Sequence, residues 1–147
     1  MAKRKISKPL RRLVRERAHA CYEYCVSQEA FSSDPFTNDH VISEEAGGLS
    51  DESNLAFACI GCNDIKYIKT TGIDPVTLHE VPLFHSRRDH WHEHFTWSED
   101  FTELIGLTPV GRATIAELKL NRAHVVNLRR VLAAVGKHPP PHWALLQ

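Results

Sequence analysis

Asp39 and His40 stand side by side, Asn54 follows fourteen residues after the His, and Asn63 comes nine residues after that. An imidazole titrates near neutrality and is a natural general base for activating water. A carboxylate beside it is a hard oxygen ligand suited to Mg²⁺. Singly, each residue has an ordinary reading: a turn Asp with a satisfied His, Asn54 in a loop, Asn63 capping a helix. Their combination is what points to hydrolytic chemistry. Four thiols frame the group, as Cys21-x3-Cys25 and Cys59-x2-Cys62. Zinc takes tetrahedral sulfur ligation, and each short pair can offer two ligands from one tight turn. The competing reading, four buried cysteines acting as small apolar residues, needs two close pairs to arise by chance. The cytosol keeps thiols reduced, so metal ligation is expected over disulfides.

Local signals place these residues on strands and helices. Ser7 can cap a helix with Pro9 in its first turn, and Leu10, Leu13, Val14 and Ala18 recur at helical spacing. A helix is predicted over about 8–20, with Arg11, Arg12 and Arg15 on its wet face. A turn at 32–35 precedes a short strand leading to His40, Val41 and Ile42. Residues 43–53, with Gly47-Gly48, read as a loop. Leu55–Ala58 reads as an apolar strand, and 62–69 as a helix ended by Thr70-Thr71-Gly72. Beyond a turn at 73–77 and an apolar stretch at 81–84, residues 94–98 and 101–107 read as a β-hairpin. Thr108-Pro109 opens a helical region that stops at Gly136, and the tail is expected to be irregular. On a strand, His90, His92 and His94 would face one way and could hold a further metal, although Trp91 and Phe95 beside them favour packing. Trp91 and Trp97 are read as core residues in preference to base-stacking platforms.

The composition, 42% hydrophobic and 24% charged over 147 residues, is that of an ordinary globular chain. The length favours a single domain, 1–147, and neither a repeat nor a long linker divides it. No run approaches the ~20 apolar residues of a membrane span. The basic start lacks the apolar stretch of a secretory signal, so a cytoplasmic protein is expected. The formal net charge is zero, but residues 1–17 carry +7 and residues 104–147 carry +5, which leaves −12 between them. Phosphates respond to local basic faces, because screening limits the field of a charge to about 8 Å at physiological salt. The two ends are therefore candidate nucleic-acid contacts, against the plainer reading of solvated helix faces.

Asp39-His40, Asn54 and Asn63, followed by Lys66 and bracketed by the Cys pairs, resemble the motif of the HNH endonucleases, in particular their zinc-binding four-Cys subset. The resemblance covers about 15–70 and extends to a basic helix, a Gly-Gly pair and a CxxCN run. It implies an α+β fold: a ββα-metal (His-Me finger) core with structural zinc, flanked by the N-terminal helix and by a C-terminal hairpin and helices over about 73–136. Carried over residue by residue, His40 is the general base for the attacking water, and Asp39 and Asn63 hold a catalytic Mg²⁺ or Mn²⁺. Asn54 braces the loop that presents His40. Cys21, Cys25, Cys59 and Cys62 hold the structural Zn²⁺. Lys66, Arg11, Arg12 and Arg15 are the expected contacts to DNA, with RNA as an alternative substrate. The last motif position is Asn63 where His is also used, and an oxygen ligand there favours Mg²⁺ over zinc. The rival expectation is a non-catalytic, zinc-stabilised nucleic-acid-binding module on a degenerate nuclease fold.

Overall fold

The Ser7 hydroxyl accepts a hydrogen bond from the Leu10 amide at 3.3 Å, so helix α1 (Lys8–Arg17) begins where the capping chemistry dictates. It ends short of residue 20 because His19 and Ala20 both enter the left-handed region, at φ 54°. The structure, a computed structural model, describes residues 5–146. Lys3 and Arg4, part of the basic start, lie outside the described residues.

Strands β1 (Thr37–His40) and β2 (Leu55–Ala58) pair antiparallel, with Asp39 opposite Ala56 and His40 opposite Leu55. Every residue of β2 is buried because both of its faces are covered. Leu55 and Phe57 cluster with Val14 and Ala18 of α1, while Ala56 and Ala58 join the main core. Two covered faces turn the usual alternation of a strand into an uninterrupted apolar run. Arg17 ties the layers together by donating to the carbonyls of Glu52, at 2.7 Å, and Leu55. Helix α2 (Ile60–Lys66) then starts at the Cys59 cap and stops at Lys66, earlier at both ends than the expected 62–69.

Where that helix was expected to end, the chain forms a second hairpin, β3 (Thr71–Ile73) with β4 (Glu80–Pro82). Its turn is built on Asp74. The carboxylate accepts a bidentate pair from Arg112, at 2.8 and 2.9 Å, as well as the Val76 and Thr77 amides. Arg112 foremost, then those turn donors, hold the Asp74 carboxyl well below the usual carboxylate range.

Helix α3 (Trp91–His94) leads into β5 (Phe95–Trp97), which pairs with β6 (Leu104–Gly106) as a shorter version of the expected hairpin. The helical turn corrects the strand reading of the three histidines, since residues two apart do not share a face of a helix. His92 Nε2 lies 2.8 Å from the Trp143 carbonyl, His94 Nδ1 lies 2.6 Å from the Thr108 hydroxyl, and His90 is exposed. They make no common metal site. Trp91 and Trp97 are buried, and the Trp91 indole donates to the Tyr24 carbonyl at 2.6 Å, so both serve the core.

Helix α4 (Pro109–Leu118) is capped by Thr108, whose hydroxyl accepts from the Gly111 amide at 3.1 Å. The His94 carbonyl passes so close to Gly111 that no side chain fits there. Helix α5 (Ala123–Ala134) follows, and the tail expected to be irregular forms a short 3₁₀ helix, Pro141–Leu145. The main core draws on Cys21 to Val26, on β2 and on Leu118 and Leu120, so the C-terminal region packs on the same centre as the motif. Among the described residues no helix is long and apolar enough to cross a membrane.

His138 docks this tail against the rest. Its Nε2–H donates to the Phe101 carbonyl at 2.9 Å, and burial lowers its pKa from 6.5 to about 4. A neutral buried His adds stability that is complete above its unfolded pKa and is lost as pH falls through the window from 6.5 to about 4. Allowing for partial solvent screening, the loss between pH 7 and pH 5 is expected to be about 1 kcal/mol. His138→Phe should flatten the fall in Tm over that interval, and an unchanged slope would show that His138 is not the titrating group.

Candidate active site

Strand β1 delivers Asp39 and His40 to the same end of the small sheet, and the first turns of α2 bring Asn63 beside them. All three line one cavity of about 300 Å³, together with Glu44, Glu45 and Asp64. So many carboxylates around one imidazole give the cavity an acidic lining.

His40 is half-buried, and its Nε2 lies 2.9 Å from Ser50 Oγ and 3.2 Å from Glu44 Oε1. The Ser50 hydroxyl donates to that same Glu44 oxygen at 2.9 Å. Neither Glu44 nor Ser50 was singled out from the sequence. The available signal was Glu44 four residues after His40, in a segment whose first residue, Ser43, caps a 3₁₀ turn (Glu44–Ala46).

Asn54 holds this loop closed. Its Oδ1 accepts the Ile42 amide at 2.9 Å, and its Nδ2 donates to the carbonyls of Ile42 at 2.8 Å and Leu49 at 2.9 Å. Three bonds use most of what one carboxamide can offer. The Gly-Gly pair is explained in the same place. Gly47 has φ 89°, and Gly48 lies so close to the Ile42 carbonyl and the Asn54 amide that a Cβ would collide with both.

Asp39 is only 3% exposed. Its Oδ1 accepts from Lys66 Nζ at 3.3 Å, and Oδ2 lies 3.2 Å from the same ammonium without hydrogen-bond alignment or another partner. Burial pushes the Asp39 carboxyl up to about 6, and Lys66 offsets part of that. Lys66 itself is 1% exposed and also donates to the His40 carbonyl at 2.9 Å. This corrects the expectation that Lys66 contacts DNA: its ammonium is spent inside the protein, joining α2 to β1.

The four cysteines are gathered but do not form a cage. Cys62 lies beside both Cys25 and Cys59, and its amide donates to Cys59 Sγ at 3.2 Å. Arg122 reaches across from the start of α5 to place Nη2 3.2 Å from Cys62 Sγ. Burial opposes a thiolate at Cys25, but the contacts from Cys62 and Ser27 and the charge of Arg129 outweigh it and lower its pKa. The Cys21 thiol donates to the His19 carbonyl at 3.3 Å, and burial, with Cys25 close by, pushes it up to about 12. Among the described residues no group of three or more His, Cys, Asp or Glu side chains is arranged to hold a metal ion.

Arg11, Arg12 and Arg15 are exposed on α1, with Arg15 paired to Glu29 at 3.0 Å and Arg11 donating to the Ile6 carbonyl. The C-terminal basic residues are differently employed. Arg112 holds Asp74, Arg122 meets Cys62, and Arg129 is buried over the Trp97 ring while donating to the carbonyls of Thr102 and Leu120. Much of the +5 charge of that end is internal architecture, which removes these three from the phosphate contacts expected of the helices.

Residues 21–68, about a third of the chain, match the family model described as HNH endonuclease. Searches of curated proteins and of solved structures gave no match.

Breaking a buried ion pair on one side leaves an uncompensated charge. Lys66→Met is therefore expected to lower stability by about 3–5 kcal/mol in urea unfolding, and a loss under ~1 kcal/mol would mean that the Asp39 pair carries little.

Proposed function

We propose that this chain, an HNH-family protein through its residues 21–68, hydrolyses phosphodiester bonds in DNA with the help of Mg²⁺ or Mn²⁺. The observation that carries the reading is the convergence of Asp39, His40 and Asn63 on one acidic cavity, beside a loop that Asn54 holds closed. In this reading β1, β2 and α2 are the ββα-metal core, and the whole chain acts as one nuclease domain.

The donor types that line the cavity suit a divalent cation in kind. Asp39 Oδ2 is buried without a hydrogen-bond partner, and Glu44, Glu45 and Asp64 would repel a phosphate from an uncompensated cavity. Asp39 and the Asn63 carboxamide would hold the ion, with water and phosphate oxygens completing the shell that Mg²⁺ ordinarily keeps. When bound, the cation supplies Lewis-acid stabilisation of charge on the phosphate and the leaving oxygen. The chain's own part lies with His40, which takes the proton from the attacking water, and with Asn54, which keeps the His40 loop from paying ordering entropy at each turnover. Arg11, Arg12 and Arg15 supply sequence-independent contacts to the phosphate backbone.

The thiol donors suit zinc in kind. Cys25, Cys59 and Cys62 would hold it as a structural ion with Cys21 as the fourth ligand, and Arg122 would face the resulting thiolate charge. A non-catalytic binding module remains the alternative class, but it has no use for an imidazole set among carboxylates in an open cavity.

Plasmid nicking tests the reading. With added Mg²⁺ the protein is expected to convert supercoiled to open-circular DNA, and His40→Ala to lose at least ~10²-fold in rate while keeping its Tm. Equal cleavage by both proteins would sink the assignment of His40. For zinc, metal analysis of the purified chain should find a stoichiometric ion, and Cys59→Ser should lower Tm sharply. A Cys59→Ser protein that melts with the wild type would rule out the four-thiolate site.

A further inference from the structure

We propose that Glu44 and Ser50 act as positioning residues for His40, fixing the imidazole as its Nε2–H tautomer so that Nδ1 is the nitrogen that accepts the proton from water. The inference rests on the reading of His40 as general base and deepens it.

The hydrogen count decides the tautomer. A serine hydroxyl has one proton to give and a carboxylate has none. Ser50 gives its proton to Glu44 Oε1 at 2.9 Å. Nε2 lies 2.9 Å from Ser50 Oγ and 3.2 Å from Glu44 Oε1, and neither oxygen has a proton left to offer it. The ring nitrogen must therefore be the donor. A neutral imidazole carries a single proton, so Nδ1 holds the lone pair, because the bond made by one ring nitrogen sets the state of the other.

The same three groups fix the ring's direction. Glu44 and Ser50 lie at opposite ends of the loop that Asn54 ties at Ile42 and Leu49, and Ser43 caps the turn that carries Glu44. A hydroxyl acceptor and a carboxylate at ion-pair distance, both on a braced loop, hold the imidazole where a single flexible partner would let it swing. Glu44 also explains a feature that a bare His cannot: as Nδ1 takes up a proton, the carboxylate behind Nε2 stabilises the imidazolium that results.

Side-chain ¹H–¹⁵N spectra of the metal-free full-length protein at about pH 8, where an ordinary His is neutral, read the tautomer directly. Wild type is expected to show His40 as Nε2–H. The Glu44→Leu/Ser50→Ala double variant should show a mixture of tautomers at an unchanged Tm. In plasmid nicking its kcat should fall by about 10–100-fold with KM for DNA within about 2-fold, a share of the effect of a full general base. Ser50→Ala alone keeps the carboxylate acceptor and should keep the tautomer, with a loss in kcat of no more than about 10-fold. A wild-type His40 protonated on Nδ1, or a double variant with the wild-type tautomer and kcat, overturns the proposal. So does a double variant that keeps the tautomer and only needs more Mg²⁺, which would make Glu44 a metal contact. The spectra do not depend on turnover. A protein with the Nε2–H tautomer that cuts no DNA would refute the nuclease reading, and with it the role of Nδ1 as proton acceptor, while the orientation of His40 by Glu44 and Ser50 would stand.

Discussion

A single ammonium group holds the corner of the candidate site together. Lys66 reaches from the last turn of α2 to the Asp39 carboxylate and to the backbone carbonyl of His40, with almost no exposure to solvent. The helix that carries Asn63 and the strand that carries Asp39 and His40 are thus tied at the point where their side chains must meet. Such a pair adds little net stability when compared with well-packed apolar groups, but removing one partner is costly. Its value here is geometric. It ties strand to helix and leaves one oxygen of Asp39 without a hydrogen bond, in a residue that lines a cavity rich in carboxylates.

The parts of the fold that could be read from sequence are those set by local chemistry. Ser7 and Thr108 cap helices where their hydroxyls predict them, and the 55–58 run is a strand because its residues suit one. The parts that escaped depend on distant partners. The hairpin at 71–82 is organised by Asp74, whose strongest bonds come from Arg112 on α4. The short helix at 91–94 overrides an alternating pattern because Trp91 must reach the Tyr24 carbonyl and the aromatic core around it. Sequence spacing places His40, Asn54 and Asn63 in one motif, but it cannot tell a lysine that meets phosphate from one that meets Asp39. Glu44 and Ser50 were hidden for a similar reason: they lie in a loop whose closure depends on Asn54, and loop residues carry no periodicity.

Charge counted along the chain and charge presented to solvent diverge. The basic C-terminal segment reads as a nucleic-acid surface, yet three of its arginines work within the protein, at Asp74, at Cys62 and over Trp97. The N-terminal helix does the reverse. Its apolar stripe closes one side of β2 and its arginines stay outside. A guanidinium is well suited to either task, since its planar fork can meet a carboxylate, a row of carbonyls or a phosphate.

The contact of Arg17 with the Leu55 carbonyl has a mechanical reach beyond its size. Leu55 is the residue opposite His40 in the sheet, so α1 is tied to the strand position that faces His40. The spacing between the arginine face and His40 is then a fixed ruler, set by folded parts with no flexible linker between them. Anything that lies on that helix would meet His40 at a constant offset. Insertions into the 43–53 loop could reshape the cavity, but they would leave that offset as it is.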